Sequence, residues 1–370
     1  MPWPVLLMAR TLDGGGSERQ LREVAKNLDR TQFQPFAGCF RPSAAAESEL
    51  EDAGVSLAHF PIESFASARA ISGVFSFAAY IRRHNIRLVH SFDYPTAVFA
   101  IPAARLLTGA VAISSQRSHR DLIPPGYRRL VRATDHLSHS IVVNCEYIRR
   151  HLHDGERVPP ERIALCYNGI DLDVFRPLDE PRPPGLPDRF VIGVVCALRP
   201  EKALGTLLQA FAQIRHLHES ATLAIVGDGP MLPSLQQEAC ALQIAGDCVF
   251  VPATNQAARW LRAFDIFVLP SLSEALSNSL MEAMACARPV IASNVGGNPE
   301  LVRHGETGLL FDTGSADALA AAIETLVANQ DLRQRLAAAG AEFIRSKFSI
   351  QSSAQHMGEI YARLIETRPA

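Results

Sequence analysis

Glu274 and Glu282 stand eight residues apart around Ser277-Asn278-Ser279-Leu280, a polar break in front of an apolar helical pattern. Ser277 or Ser279 can cap a helix there, leaving the amides near Asn278, Ser279 and Leu280 to bind a phosphate. Glu282, about one turn in, is a fixed carboxylate acceptor of the kind that ribose hydroxyls need. The spacing Ser279-x-x-Glu282 also fits a capping box, in which the carboxylate only satisfies a backbone amide. A second anion-binding candidate is Gly14-Gly15-Gly16-Ser17-Glu18-Arg19, which follows the first apolar run and opens a helix. Glycines let backbone amides approach a phosphate closely, and a helix N-terminus favours an anion. This run lacks the GxGxxG spacing of a dinucleotide loop, and Gly227-Asp228-Gly229 has Leu232 where a third glycine belongs. For both loops a tight strand-to-helix turn is the competing reading.

Metal-ligand types are present but poorly placed. His151-x-His153 and His216-x-His218 put their members on different helix faces, because helix neighbours lie three or four residues apart. No GxSxG elbow supports a hydrolase triad.

Elements must hold these groups, and the pattern says which. Short apolar runs alternate with amphipathic stretches, as in parallel sheets with crossover helices. Candidate strands in the first half are Val5–Met8, Gln34–Phe40, Leu88–Ser91, Val111–Ser114, Ile141–Asn144 and Ile163–Tyr167, with helical patterns near 17–29, 67–84, 95–107 and 146–153. The second half repeats the alternation at Val191–Ala197, Thr222–Val226, Cys248–Val251, Ile266–Leu269 and Val290–Ala292. Between them lies PLDEPRPPGLPD, with five prolines in the twelve residues 177–188, which can continue neither element. At 370 residues the chain also exceeds what one hydrophobic core usually serves. The reading is α/β: a doubly wound domain over 1–176, a linker at 177–188 and a second such domain over 189–349. Ligands in these folds sit beyond the carboxyl ends of the strands, which points to the cleft between domains. A last helical pattern fills 350–366.

The balance of 36 basic and 38 acidic residues argues against a nucleic-acid partner held by bulk charge. Residues 117–132 concentrate Arg117, Arg120, Arg128, Arg129 and Arg132 against Asp121 alone, a run that can face an anionic acceptor, a lipid surface or simply solvent. Seven dispersed cysteines without a CxxC pair read as reduced thiols and a cytoplasmic location. Met1–Ala9 reads as a first strand, not a signal peptide, and no apolar run is long enough to span a membrane.

Taken in order, the motifs resemble those of retaining GT-B glycosyltransferases of family four. They are the loop at 14–19, Val143-Asn-Cys-Glu-Tyr147, Asn168-Gly-Ile-Asp171 with Phe175, Arg199-Pro-Glu-Lys202 and Ile225-Val-Gly-Asp-Gly-Pro230. The Glu274/Glu282 pair, Gly296-Gly-Asn-Pro-Glu300 and Gly305-Glu-Thr-Gly-Leu309 follow. The resemblance covers nearly the whole chain. It implies a GT-B fold, two Rossmann-like domains with an interdomain cleft, whose C-terminal helix (350–370) packs back on the first domain. It implies that Gly15 and Gly16 approach a donor diphosphate and that Lys202 binds its oxygens and stabilises the leaving group. Glu274 would lie beside the donor sugar, Glu282 on the ribose, with the amides of Asn278, Ser279 and Leu280 on phosphate. Asp171-x-Asp173, which imitates a metal-binding DxD, belongs to the NGID segment in this setting. On the acceptor side the family places histidine or arginine at strand ends, and His119, Arg117 and His90 are the matching candidates; His119 can shuttle a proton.

Three positions depart from the family pattern. Ala197 stands where an arginine is usual, and Ala203 and Ala275 stand where glycine is usual. If Ala197 and Arg199 share one face of a strand, Arg199 can reach back and replace the missing cation. The implied activity is transfer of a sugar, with retention, from a nucleotide-sugar donor to a saccharide or lipid-linked acceptor, without metal or other cofactor. Partners are then small molecules, with weak peripheral contact at the inner membrane surface through 117–132. A GT-B-like nucleotide-sugar epimerase and a non-catalytic GT-B subunit are the rival readings.

Overall fold

The computed structural model describes residues 1–13, 15–62, 68–217 and 220–367. Gly14 and His218 lie outside them. The chain forms two compact units, Met1–Gly169 with Ile350–Ala370, and Ile170–Ser349.

The first unit carries seven strands: β1 (Trp3–Thr11), β2 (Phe33–Arg41), β3 (Ser56–His59), β4 (Leu88–Ser91), β5 (Val111–Gln116), β6 (Ser140–Val143) and β7 (Ile163–Leu165). They pair in the order β3-β2-β1-β4-β5-β6-β7, parallel throughout. The second carries β8 (Phe190–Val195), β9 (Ala221–Val226), β10 (Cys248–Val251), β11 (Ile266–Leu269), β12 (Val290–Ser293) and β13 (Leu309–Phe311). Their order is β10-β9-β8-β11-β12-β13, again parallel. Helices cover both faces, so central strands such as Val5–Ala9 and Ile266–Leu269 are apolar on both sides and fully buried. Strand order reverses beside β1 in one sheet and beside β8 in the other, which opens one crevice past the carboxyl ends of β1/β4 and, in the other unit, one past those of β8/β11.

The helix Ile350–Glu366 buries Ile350, Ala354, Met357, Tyr361 and Ile365, spaced three or four apart. It lies against the helix Gly16–Asn27 in the first unit. Burying each large apolar side chain contributes roughly 1.5–3 kcal/mol.

The proline-rich stretch 177–188 belongs to the second unit; the chain divides earlier, between Gly169 and Ile170. Proline breaks helix and ladder but does not prevent anchoring. Arg262 donates to Glu180 at 2.6 Å and Arg259 to the Pro181 carbonyl at 3.2 Å, which straps the segment down. Two strands, β3 and β13, and the helices Ala44–Asp52 and Pro125–Leu137 are not in the sequence reading. Both strands are sheet edges of three or four residues.

Candidate functional site

β8 ends at Val195 and β11 at Leu269, side by side in the sheet, so the loops after them leave together at the reversal point. The first loop turns at once: the Arg199 amide donates to Ala197 O (2.9 Å), and a 3₁₀ turn over Pro200–Lys202 delivers Lys202. Glycines keep this loop low. A Cβ on Gly227 would collide with the Cys196 carbonyl, and one on Gly229 with that of Leu198. Gly227-Asp228-Gly229 is therefore a brace, as a tight turn would be.

Leu272 donates its amide to Glu201 O at 2.8 Å and ties the β11 loop to the β8 loop. Lys202 Nζ then lies 2.5 Å from Glu274 Oε1, which also accepts from Ser271 Oγ at 2.7 Å. Burial pulls the Lys202 pKa down, but the charge and hydrogen bond of Glu274, aided by Cys196 and Glu201, raise it above the ordinary lysine value. The lysine is thus cationic at neutral pH. A cation that suits phosphate oxygens stands beside a carboxylate that suits a sugar hydroxyl. Behind them, Gly296 adopts φ +61° with no room for a Cβ against the Glu274 carbonyl, and Gly297 donates to Ala275 O at 3.0 Å.

Ser277, not Ser279, caps the helix Asn278–Ala285, its Oγ accepting from the Leu280 amide at 3.4 Å. Ser279 lies inside the helix, so Ser279-x-x-Glu282 is no capping box. Glu282 is the fifth helical residue and only 2% exposed. The cap takes up the Leu280 amide, one of the three expected phosphate contacts.

The structure does not bring Arg199 to this pair. β8 is over before Ala197, so Ala197 and Arg199 are not alternate strand residues. Arg199 is 63% exposed, 4.0 Å from Glu201, and has no ion pair with Glu274. Sequence reading also passed over a buried polar chain behind the site. Ser293 Oγ donates to Ser271 O at 2.6 Å, and Asn298 Nδ2 to Ser293 O at 3.0 Å. Single serines after apolar runs carry no signal beyond a turn.

In the first unit Gly15 is the N-cap of the helix that Gly16 begins, and the Glu18 carboxylate folds back over Gly15. Arg117 donates to Asn168 Oδ1 at 2.6 Å and lies 4.8 Å over the Phe92 ring. Burial pulls its pKa down to about 10. His119 is partly exposed; its Nδ1 accepts from the Asp121 amide at 3.3 Å and its ring centre is 4.0 Å from that of His151.

His90 is not an acceptor contact. It is fully buried, with Nδ1 2.6 Å from the Tyr361 hydroxyl and Nε2 2.8 Å from Ser115 Oγ, so both nitrogens serve the core. The arginine run is also partly spent internally. Arg120 is buried against Asp135 (2.5 Å), Arg132 meets Glu156 (2.6 Å) and Arg128 meets Asp121 (3.3 Å). Of the five, the Arg129 side chain alone shows no ion pair or hydrogen bond among the described residues. Asp171 Oδ1 accepts from the amides of Asp173 (2.9 Å) and Val174 (3.2 Å), which makes it a turn residue.

Residues 179–343 match the family described as Glycosyl transferases group 1, and residues 14–174 match Glycosyltransferase Family 4. A GDP-mannose-dependent alpha-(1-6)-phosphatidylinositol monomannoside mannosyltransferase of Mycobacterium tuberculosis is 31% identical over 290 residues, 72% of this chain and 74% of that protein. The chain belongs to the group 1 glycosyltransferases. A D-inositol 3-phosphate glycosyltransferase of a Nocardioides species is 32% identical over 260 residues, covering 64% of this group 1 glycosyltransferase but only 56% of that longer relative. Among solved structures, HepE of Anabaena in complex with UDP and glucose superposes with a TM-score of 0.86 at 20% identity, over 98% of this chain and 100% of that one. The fold is GT-B.

Proposed function

We propose that this glycosyltransferase is retaining and metal-independent, and that it takes a sugar from a nucleotide-sugar donor to a saccharide or lipid-linked acceptor. The Lys202–Glu274 pair, beside the capped helix at Asn278, carries the reading: it offers one cation and one carboxylate at the sheet's reversal point. The mycobacterial relative is named for GDP-mannose and HepE was solved with UDP and glucose, which supports a nucleotide sugar as donor.

In this mechanism Lys202 and the amides of Asn278 and Ser279 hold the diphosphate as negative charge grows on it. Glu282 accepts from the ribose and Glu274 from the donor sugar. Gly15 and Gly16 approach the diphosphate, while Arg117 and His119 serve the acceptor side. The acceptor oxygen bonds to the anomeric carbon on the face from which the diphosphate leaves. The hydroxyl proton passes to a leaving-group oxygen, so configuration is kept.

Two measurements test this. Turnover should survive EDTA, and NMR of the early product should show the donor's anomeric configuration. An inverted product, or a strict need for a divalent ion, sinks the mechanism. Free nucleotide with an altered sugar and no acceptor would favour the epimerase reading.

No described helix is long and apolar enough to cross a membrane. The seven free cysteines fit a reducing, cytoplasmic setting. Arg129, with the half-exposed Leu122 and Leu130 nearby, supports weak contact with an anionic membrane surface. Vesicles of anionic lipid should then bind the protein at low salt and release it at high salt.

A further inference from the structure

Glu274 offers its two carboxylate oxygens unequally. Oε1 accepts from both Lys202 Nζ (2.5 Å) and Ser271 Oγ (2.7 Å), whereas Oε2 carries no hydrogen bond among the described residues. Ser271 is fully buried and is the second residue after β11.

The serine is itself held from behind. Ser293 Oγ, at the end of β12, donates to Ser271 O at 2.6 Å. Asn298 Nδ2 donates to Ser293 O at 3.0 Å and lies 3.5 Å from Ser293 Oγ. Flipping that amide would turn Oδ1 onto the Ser293 carbonyl, acceptor against acceptor, so its orientation is set. Ser293 and Asn298 are fully buried. Asn298 Oδ1 is enclosed with no hydrogen-bond partner among the described residues.

We propose that Ser271 is a positioning residue for Glu274, backed by Ser293 and Asn298, which keeps Oε1 turned inward and presents Oε2 to a hydroxyl of the donor sugar. Lys202 cannot do this alone. When its ammonium turns to the diphosphate, its bond to Oε1 weakens, and Ser271 is the partner that remains. The donors run one way, Asn298 to the Ser293 carbonyl, Ser293 to the Ser271 carbonyl and Ser271 to Glu274, and all four residues are buried. A bond in such surroundings holds its geometry more firmly than one exposed to water.

The inference rests on the proposed role of Glu274 at the donor sugar. The experiment uses the full chain with UDP-glucose and GDP-mannose, and with UDP and GDP as sugar-free controls. Ser271→Ala should lower the rate of nucleotide release from the better donor by about tenfold, with the affinity for the matching nucleoside diphosphate unchanged. Ser271→Thr, which keeps the hydroxyl, should recover most of that rate. Unchanged turnover in Ser271→Ala overturns the proposal. So does a parallel loss of diphosphate affinity and melting temperature, since a purely structural serine would move all three. Glu274→Gln separates the parent reading: if it turns over like wild type, or if the wild type binds none of the four ligands, the role of Glu274 itself fails.

Discussion

The Tyr361 hydroxyl stands 2.6 Å from Nδ1 of His90, joining the last helix to β4 across 271 residues of chain. The rings meet edge to face, 5.6 Å apart, and Ser115 closes the other side of the imidazole. Burial, with the nearby charge of Arg117, holds the His90 pKa well below the usual histidine value. Burial likewise pushes the Tyr361 hydroxyl well above its own.

This contact makes stability pH-dependent in a defined sense. His90 stays neutral in the folded chain, but the unfolded chain takes up a proton below about pH 6.5. Stability therefore falls as pH drops through that value, by at most about 1.4 kcal/mol per pH unit from this group. The melting temperature of wild type should drop between pH 7 and pH 5. His90→Gln should melt earlier at pH 7 yet lose less over the same interval. Parallel pH curves for the two proteins would show that His90 is not the group responsible.

The donor carboxylates should separate kinetically. Glu282→Ala should weaken nucleotide binding at least about tenfold, because ribose hydroxyls lose a buried acceptor. The helix cap is Ser277, so the helix itself should survive. Lys202→Met should cut kcat/KM by about a hundredfold, comparable to removing one preorganised transition-state donor. Calorimetric titration with UDP and GDP, alongside turnover, checks both. A Glu282→Ala protein that binds nucleotide normally but melts early would give that glutamate a structural task only.

Arg199→Ala should change little. Its side chain is mostly in water and its carboxylate neighbour Glu201 is at the 4.0 Å limit, where a surface pair contributes about 0–1 kcal/mol. Turnover within about twofold of wild type is expected. A tenfold loss would mean that Arg199 swings to the diphosphate when donor binds.

Much of this was legible in the sequence because periodicity and proline report local constraints directly. The eleven strands read there show as apolar runs, the short edge strands β7 and β10 included. The Glu274/Glu282 spacing placed two carboxylates around one helix start, and the helix is there. What stayed hidden depends on tertiary detail. Whether Ser277 or Ser279 caps is decided by where the chain leaves β11. His90 looked like a strand-end ligand because sequence cannot show that Tyr361, far along the chain, covers it. Arg199 misled for a local reason: β8 stops four residues earlier than the alternation argument required. Ser271, Ser293 and Asn298 come from three segments that only the fold assembles.

Ala203 and Ala275 ask opposite things of the backbone. Ala203 follows Lys202 directly and sits at φ +49°, ψ +42°, between the 3₁₀ turn and the helix Leu204–Gln213. An L-residue pays about 1–2 kcal/mol there because Cβ crowds the following carbonyl. Glycine would relieve that strain and give back part of it, about 0.4–1 kcal/mol, to the looser unfolded chain. Ala203→Gly should therefore stabilise by roughly 0.5–1 kcal/mol, a rise of a few degrees in the melting transition. Ala275 has negative φ and a buried methyl, so Ala275→Gly gains no relief and should destabilise by about 0.5–1 kcal/mol. Scanning calorimetry of the two variants side by side gives the answer as a sign. If both lower the melting temperature, the left-handed turn at Ala203 carries no strain, and the loop that presents Lys202 is as comfortable with alanine as with glycine.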